Sequence, residues 1–223
     1  MSVSPEMKPE MKKEETGEVS SRDRILDVAE VSFARRGYAG VGMREVAEGV
    51  GLGKSSLFHH FRSKADLYSA VCVRILGTIE EQVSGVLQQD GRPAERFERG
   101  LSALIDVLAR HPTYARILLR SMFEDDDLPD QGSESDAIEE AIGRVTGPFG
   151  ALLEAGMESN EFRPTSVSHV LLLLVGPIVF PFASGEFGES ILSADVFDPA
   201  QVARLKKELL DLVRTGLLAP QNP

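Results

Sequence analysis

The stretch from Met43 to Lys64 constrains the fold of this 223-residue chain more than any other. Val46 is an apolar anchor on a first short helix, and the small Ala47 beside it lets a second helix approach closely. Gly51 follows where a helix can end in the left-handed conformation. Leu57 then anchors the inner face of a second short helix. This spacing predicts two helices that cross steeply over a tight turn, a helix-turn-helix motif.

The outer face of the predicted second helix has cationic, hydroxyl and aromatic side chains but no acidic one. Hydroxyl and ammonium groups bond to phosphates and base edges in a DNA major groove, and aromatic rings contact thymine methyl groups. The motif therefore predicts DNA binding. The outer-face residues are Lys54, Ser55, Ser56, Phe58, His59 and His60.

From Ile25 to Val71 the chain resembles the TetR family of bacterial regulators, and the run from Arg44 to Leu67 carries most of the resemblance. The resemblance implies that Lys54 and Ser55 read bases, while Lys64 clamps a phosphate. It also implies a backbone or base contact for Arg44. The further residues that it assigns to bases or phosphates are Ser56, Phe58, His59 and His60.

The chain departs from the family pattern just before the motif. Val41 and Gly42 stand where the family commonly has Thr and Ser, so the first motif helix is predicted to lack a hydroxyl N-cap.

Two alternative interpretations of the motif are open. The residues around Lys54 end like a phosphate-binding P-loop, but Glu48 stands where that motif requires glycine. The second alternative is a helical hairpin with a purely structural role.

The net charge of −11 is unusual for a DNA-binding protein, but it is unevenly distributed. The chain from Ser20 to Lys64 contains eight Lys or Arg and five Asp or Glu, whereas the chain from Ala65 onward contains thirteen and twenty-five. Positive charge is therefore concentrated around the motif, and the acidic remainder would be repelled by DNA.

Catalytic and metal-binding patterns are lacking in the sequence. It has no H-E-x-x-H, G-x-S-x-G or paired Cys-x-x-Cys, so we expect no enzyme activity, no catalytic residue, no cofactor and no metal site. The single cysteine, Cys72, fits a reducing compartment. The longest apolar run, Val170 to Ala183, is too short to span a bilayer, and no secretory signal is present. These features predict a cytoplasmic protein without a membrane partner.

The apolar periodicity predicts an all-α fold in three parts. A disordered tail covers residues 1–19, a three-helix DNA-binding domain with the helix-turn-helix covers 20–66, and a larger helical effector-binding and dimerisation domain covers 67–219. Beyond the motif the predicted segments are a long rod from Lys64 to Leu87, helices from Pro93 to His111 and from Thr113 to Glu124, an acidic loop from Glu124 to Ser135, a helix from Ser135 to Ser159, and a glycine-rich loop from Ser184.

The last two predicted helices have too much apolar surface for one copy to cover. The segment from Ser166 to Ala183 is apolar almost all round, and Pro177 and Pro181 are predicted to kink or unwind its second half. A final amphipathic helix runs from Asp198 to Leu218. We therefore expect a homodimer, and the resemblance implies that both helices pair with their copies. The expected interface residues are Leu174, Ile178, Leu205, Leu209, Leu212 and Val213.

The region after the motif, about 150 residues, is larger than dimerisation alone requires. This size favours a ligand-responsive regulator, a repressor released from a palindromic double-stranded DNA operator by a small-molecule effector. The alternative is an operator-binding regulator without an effector. The candidate ligand-binding residues are Phe97, Leu101, Leu104, His111, Arg116, Arg120, Met122, Phe149 and Phe180.

Overall fold

The computed structural model describes residues 20–123 and 132–219, and this part of the chain forms ten helices and no strand. The all-α prediction, with a helix-turn-helix domain followed by a larger helical domain, is confirmed. The helices are α1 (Ser21–Arg36), α2 (Met43–Val50), α3 (Lys54–His60), α4 (Lys64–Leu87), α5 (Pro93–Arg110), α6 (Tyr114–Ser121), α7 (Gly132–Glu158), α8 (Val167–Ala183), α9 (Glu186–Leu192) and α10 (Pro199–Leu217).

Serine hydroxyl groups cap the N-termini of α1 and α4, the helices at the two ends of the DNA-binding domain. Ser20 Oγ accepts a hydrogen bond from the backbone N–H of Asp23 over 3.1 Å at the start of α1. Ser63 Oγ accepts one from the N–H of Asp66 over 3.0 Å at the start of α4. Each cap satisfies a backbone donor that the first turn leaves free. Local sequence therefore determines where both helices begin.

Helix α4 joins the two domains as one uninterrupted rod. Its 24 residues span about 36 Å at 1.5 Å per residue. Along this length it packs on α1 near the motif and on α5, α6 and α7 further along. Its buried stripe, including Leu67, Ile75 and Val83, belongs to one continuous apolar core. A rigid element therefore runs from the DNA-binding domain into the larger domain.

Helix α10 is held against α5 by two ion pairs at its exposed edge. Lys206 Nζ lies 2.6 Å from a carboxylate oxygen of Asp106, and Arg214 lies 2.6 Å from Glu98. Each pair joins a side chain that is largely open to water to one that is partly buried, and surface pairs stabilise by about 0–1 kcal/mol each, so the apolar face of α10 accounts for most of its attachment.

The C-terminal half differs from the sequence prediction in two places. Helix α8 continues without unwinding through Pro177 and Pro181, so the predicted unwinding does not occur, whereas a kink stays a prediction. The residues four positions earlier, Leu173 and Pro177, are exposed, so water can reach the carbonyls that lose a helical partner. In place of a glycine-rich loop after Ser184, the structure has the short helix α9.

Helix bounds around the predicted acidic loop also differ. Helix α6 ends at Ser121, and α7 begins at Gly132, inside the predicted loop. Residues 124–131 and the predicted tail, residues 1–19, lie outside the described residues.

Among the described helices, none is by itself long and apolar enough to cross a membrane. Helices α8 and α9 reach the required length and composition only together, and they meet at an angle of 94°.

Candidate functional site

The helix-turn-helix has the close packing that its small residues predict. Gly51 ends α2 with φ 73° and ψ 27°, the left-handed conformation that glycine adopts without strain. Ala47 is buried at the crossing. A Cβ atom at Gly49 would lie 2.9 Å from Cγ1 of Val28, so α2 also approaches α1 closely. These contacts fix the angle at which α3 projects from the domain.

Helix α3 separates its two faces as the sequence predicts. Leu57 and the following Phe61 are fully buried and anchor the helix to the domain. The opposite side is open to solvent and contains no acidic residue. DNA contacts from this side stay a prediction. All six predicted outer-face residues are exposed, namely Lys54, Ser55, Ser56, Phe58, His59 and His60.

Lys54 and Phe58 form a contact on the exposed face of α3. Nζ of Lys54 lies 5.7 Å from the centroid of the Phe58 ring, within the range of a cation–π interaction. The ring restricts the ammonium group without neutralising it. A flat aromatic surface and a positive charge are therefore presented together at the start and middle of the helix.

Lys64 is oriented by Tyr38, a residue that sequence reasoning missed. Nζ of Lys64 donates a hydrogen bond to the Tyr38 carbonyl over 2.9 Å and lies 4.2 Å from the centroid of its ring. Burial raises the pKa of Tyr38, whose ring also packs edge-on against Tyr68. An ammonium group has three donors, so Lys64 keeps two for a phosphate. The sequence signal that could have identified Tyr38 is its position, an aromatic residue directly after Gly37, the glycine that ends α1.

The acidic residues of α2 are paired with arginines. Arg44 forms an exposed ion pair with Glu48 over 2.8 Å, and this hydrogen bond raises the pKa of Arg44. Arg36 lies 2.7 Å from Glu45, and its hydrogen bond lowers the pKa of that carboxyl group. Gly42 provides no side-chain cap to α2, as expected. The guanidinium of Arg44 is therefore engaged by Glu48, and its predicted DNA contact would have to share or replace this ion pair.

A partly open cavity of about 130 Å³ lies in the larger domain, between α4, α5, α6, α7 and α8, and its lining residues Met122 and Ile142 are exposed. Ser121 and Thr146 are its two polar lining residues, and both hydroxyls donate to helix carbonyls, those of Leu118 and Ile142, over 2.9 Å. The described lining is therefore apolar. It consists of Leu76, Ile79, Leu101, Leu104, Leu108, Leu118, Ser121, Met122, Ile138, Ile142, Val145, Thr146, Phe149, Leu171, Leu174, Val175, Ile178 and Val179.

Four of the nine predicted ligand-binding residues line this cavity, namely Leu101, Leu104, Met122 and Phe149. Phe97 does not, because it is fully buried beside Phe149 and Phe162, with ring centroids 5.7 and 5.6 Å away. His111 stacks on Tyr114 at 4.4 Å outside the cavity.

The other three predicted ligand-binding residues lie near the turn between α8 and α9. Phe180 is partly exposed, with its ring 6.2 Å from that of Phe187. Arg116 and Arg120 line a separate groove with Gly185. These three residues lie on helices that also line the cavity, but they do not line it themselves. Ligand binding by any of the nine residues stays a prediction.

The predicted dimer residues divide between the interior and the surface. Leu174 and Ile178 line the cavity. Leu209 and Val213 are only 3% and 4% exposed within their own chain, and Leu205 is partly buried. Only Leu212, at 68%, is largely open.

The large open apolar residues of α8 are instead Leu172 and Leu173, at 71% and 72% exposure. Helices α8 and α10 therefore have an exposed apolar surface, as predicted. Most of it belongs to residues next to the predicted interface residues rather than to those residues themselves.

A polar contact between α1 and α6 was not predicted. Thr113 Oγ1, at the start of α6, donates a hydrogen bond to Glu30 Oε1 on α1 over 2.6 Å. Arg74 on α4 binds the other oxygen of Glu30 over 2.8 Å and Asp27 over 2.7 Å. Burial alone would lower the pKa of Arg74, but hydrogen bonds to the two carboxylates raise it overall. This cluster links the cavity-lining helices to the DNA-binding domain.

An exposed, acid-free helix on a helix-turn-helix, combined with a separate cavity, defines a DNA-binding transcriptional regulator. The chain belongs to the TetR family: residues 25–71 match "Bacterial regulatory proteins, tetR family", and residues 93–213 match "Tetracyclin repressor-like, C-terminal domain". The family consists of DNA-binding regulators and not of enzymes.

Similar proteins include a transcriptional repressor and two proteins solved with different acyl-CoA molecules. The repressor KstR2 of Mycobacterium tuberculosis (strain ATCC 25618 / H37Rv) is 26% identical over 151 residues, covering 66% of this chain and 72% of KstR2. AibR, solved with isovaleryl coenzyme A and operator DNA, has a TM-score of 0.70 at 18% identity, covering 86% of this chain and 97% of AibR. FadR from Bacillus subtilis, solved with stearoyl-CoA, has a TM-score of 0.68 at 16% identity, with the same coverages of 86% and 97%.

Proposed function

We propose that this regulator is a homodimeric repressor that leaves its operator when a small, largely apolar effector binds the cavity. The observation that carries this proposal is the arrangement of α6. One face of this helix lines the cavity, and the residue at its start is hydrogen-bonded to the DNA-binding domain.

The proposed operator is a near-palindrome. One motif inserts only a single short helix into a major groove, so two copies related by a twofold axis are needed for adequate affinity. Their recognition helices must then be separated by one turn of DNA, about 34–36 Å. The exposed residues of α3 would contact bases and phosphates, with Lys64 holding the backbone at the start of α4.

The proposed dimer surface is the uncovered apolar side of α8 and α10. Leu172 and Leu173 on α8 and Leu212 on α10 are large side chains that water would otherwise surround. Covering such side chains contributes about 25 cal/mol per Å² of apolar area, which is partly offset by the freedom that the two copies lose on association. A second copy presents the same surface, which suits an isologous twofold interface.

The volume and lining of the cavity indicate the kind of effector. Its 130 Å³ is close to an apolar engineered cavity of about 150 Å³ that stays dry and binds benzene. A group of about that size, such as a short branched acyl chain or a ring, fits without rearrangement. Two structural neighbours are bound to acyl-CoA molecules, and the short isovaleryl group of one matches this volume better than stearoyl. We therefore propose a compact apolar effector group.

The proposed release mechanism runs through α6 and α4. A ligand that separates Leu118 and Met122 from α8 displaces α6, and Thr113 then pulls on Glu30 in α1. Arg74 couples the same carboxylate to α4, whose first turn contains Lys64. In a dimer, tilting both rods changes the separation of the recognition helices, so the two half-sites are no longer held together.

The test is to measure effector affinity with and without saturating operator DNA, using a series of acyl-CoA molecules of increasing chain length. A 100-fold loss of operator affinity corresponds to about 2.7 kcal/mol, and linkage requires DNA to weaken effector binding by the same factor. We expect the shortest branched chains to show the largest coupling. Equal affinities with and without DNA for every member would contradict effector release and favour a regulator without an effector.

A further inference from the structure

Helix α6 borders a groove on the side opposite to the one that lines the cavity. Leu118 and Met122 face the cavity, whereas Arg116 and Arg120 lie one turn apart on the other side. This second side borders a groove closed by the turn between α8 and α9. The groove is lined by Arg116, Leu119, Arg120, Ala183, Ser184, Gly185, Glu186 and Phe187.

Arg116 is partly buried in this groove and, among the described residues, has no hydrogen bond or ion pair. Other partly buried arginines are engaged: Arg74 with two carboxylates and Arg96 with the Leu87 carbonyl over 2.8 Å. Glu186 shares the groove with Arg116 but forms no ion pair with it. A guanidinium group half removed from water without a partner is costly, because its donors lose water without a replacement.

The turn beside Arg116 is shaped to admit the guanidinium. Gly185 has φ 56° and ψ −133°, a conformation that L side chains rarely adopt. A Cβ atom there would lie 2.8 Å from a terminal nitrogen of Arg116. Glycine is therefore needed both for the backbone conformation and for the space that the guanidinium occupies.

We propose that this groove binds an organic anion, a carboxylate or phosphate attached to an apolar body, at a site separate from the effector cavity. The planar guanidinium of Arg116 offers two parallel N–H donors to such a group. Arg120 lines the same groove, while Leu119 and Phe187 provide apolar surface for the rest of the ligand. Glu186 opposes anion binding, so affinity depends on a bidentate contact with Arg116 rather than on net charge.

Binding at this site would act on the same helix as the cavity ligand. Helix α6 begins beside Thr113, which is bonded to Glu30 in α1. A ligand that clamps Arg116 to the α8–α9 turn therefore opposes or assists displacement of α6. The groove thus provides a second input to operator binding, beyond release by the cavity effector.

The experiment is calorimetric titration of the full-length protein with phenyl phosphate and with benzoate, using benzyl alcohol as the uncharged control. We expect saturable binding of at least one anion and none of the alcohol. Arg116→Gln and Arg116→Lys should each weaken binding at least ten-fold, the second because an ammonium lacks the planar fork. Gly185→Ala should weaken it to a similar extent without changing any charge.

Arg163→Gln is the matched control, because Arg163 is an exposed arginine in the connection between α7 and α8 and does not line the groove. Melting temperatures would establish that each variant is folded. Equal weakening by Arg116→Gln and Arg163→Gln would overturn the proposal in favour of non-specific charge attraction. Absence of anion binding together with loss of the dimer in Arg116→Gln would also overturn it, since Arg116 would then pair with a second copy. Neither result depends on whether the cavity binds an effector.

Discussion

Thr113 donates a hydrogen bond to Glu30 over 2.6 Å although the two residues are 83 positions apart in the chain. Glu30 belongs to α1, which supports the motif, and Thr113 precedes α6, which lines the cavity. This contact is a direct polar link between the element that would sense a ligand and the element that positions α3.

Removing the Thr113 hydroxyl should uncouple the two sites. We expect Thr113→Val to bind operator within a few-fold of the native protein while effector-induced release is reduced at least ten-fold. Losing a hydrogen bond to a charged group costs about 1.5–3 kcal/mol, but Arg74 still neutralises Glu30. Fluorescence anisotropy with labelled operator measures both quantities. Thr165→Val, in the connection between α7 and α8, is the control, and equal loss of release in both variants would contradict the role of this contact.

Lys64 and Lys54 should differ in the kind of DNA binding that they support. Lys64→Ala should weaken binding to operator and random DNA alike and reduce the slope of log K against log salt by about one. Lys54→Ala should cost about 1–3 kcal/mol on operator and relax preference at particular base pairs. Binding curves at several salt concentrations separate the two effects. Equal losses on both kinds of DNA for both variants would contradict the assignment.

Filling the cavity should produce a repressor that no longer responds to effector. Val145→Trp adds bulk at the cavity wall and should cost about 1–3 kcal/mol of stability through overpacking. We expect it to retain operator affinity while effector binding falls at least ten-fold. Ser121→Ala is the companion variant, and it should change effector affinity less than about three-fold because its hydroxyl is already bonded to the Leu118 carbonyl. Undiminished effector binding in Val145→Trp would show that the effector lies elsewhere.

Exposed and buried leucines on α8 and α10 should respond differently to replacement by glutamate. The double variant Leu172→Glu and Leu173→Glu should give a folded monomer, since both side chains are open in one copy. Leu209→Glu should unfold the larger domain, since an unpaired carboxylate would be buried. Sedimentation equilibrium and thermal melting distinguish these outcomes. A dimeric double variant with native operator affinity would mean that the interface uses another surface.

Features that depend on neighbours in the chain were predictable. The bounds of α4 and the left-handed Gly51 agree with expectation, and the hydroxyl caps at Ser20 and Ser63 rest on equally local contacts. Capping, glycine conformation and helical periodicity involve residues within about one turn of each other, so the sequence contains the whole interaction. The inner and outer faces of α3 were predictable for the same reason.

The sequence by itself determined a TetR-type helix-turn-helix on an all-α frame, because these features rest on local spacing. Only the tertiary structure decided which row of leucines on α8 faces the cavity. It also decided that Arg116 lies on the side of α6 that faces away from the cavity. When a helix is apolar all round, its sequence pattern does not distinguish a buried side from an exposed side, so packing against other helices determines which side is buried. The contact between Glu30 and Thr113 was equally hidden, because two polar residues on separate helices meet only when α1 and α6 pack together.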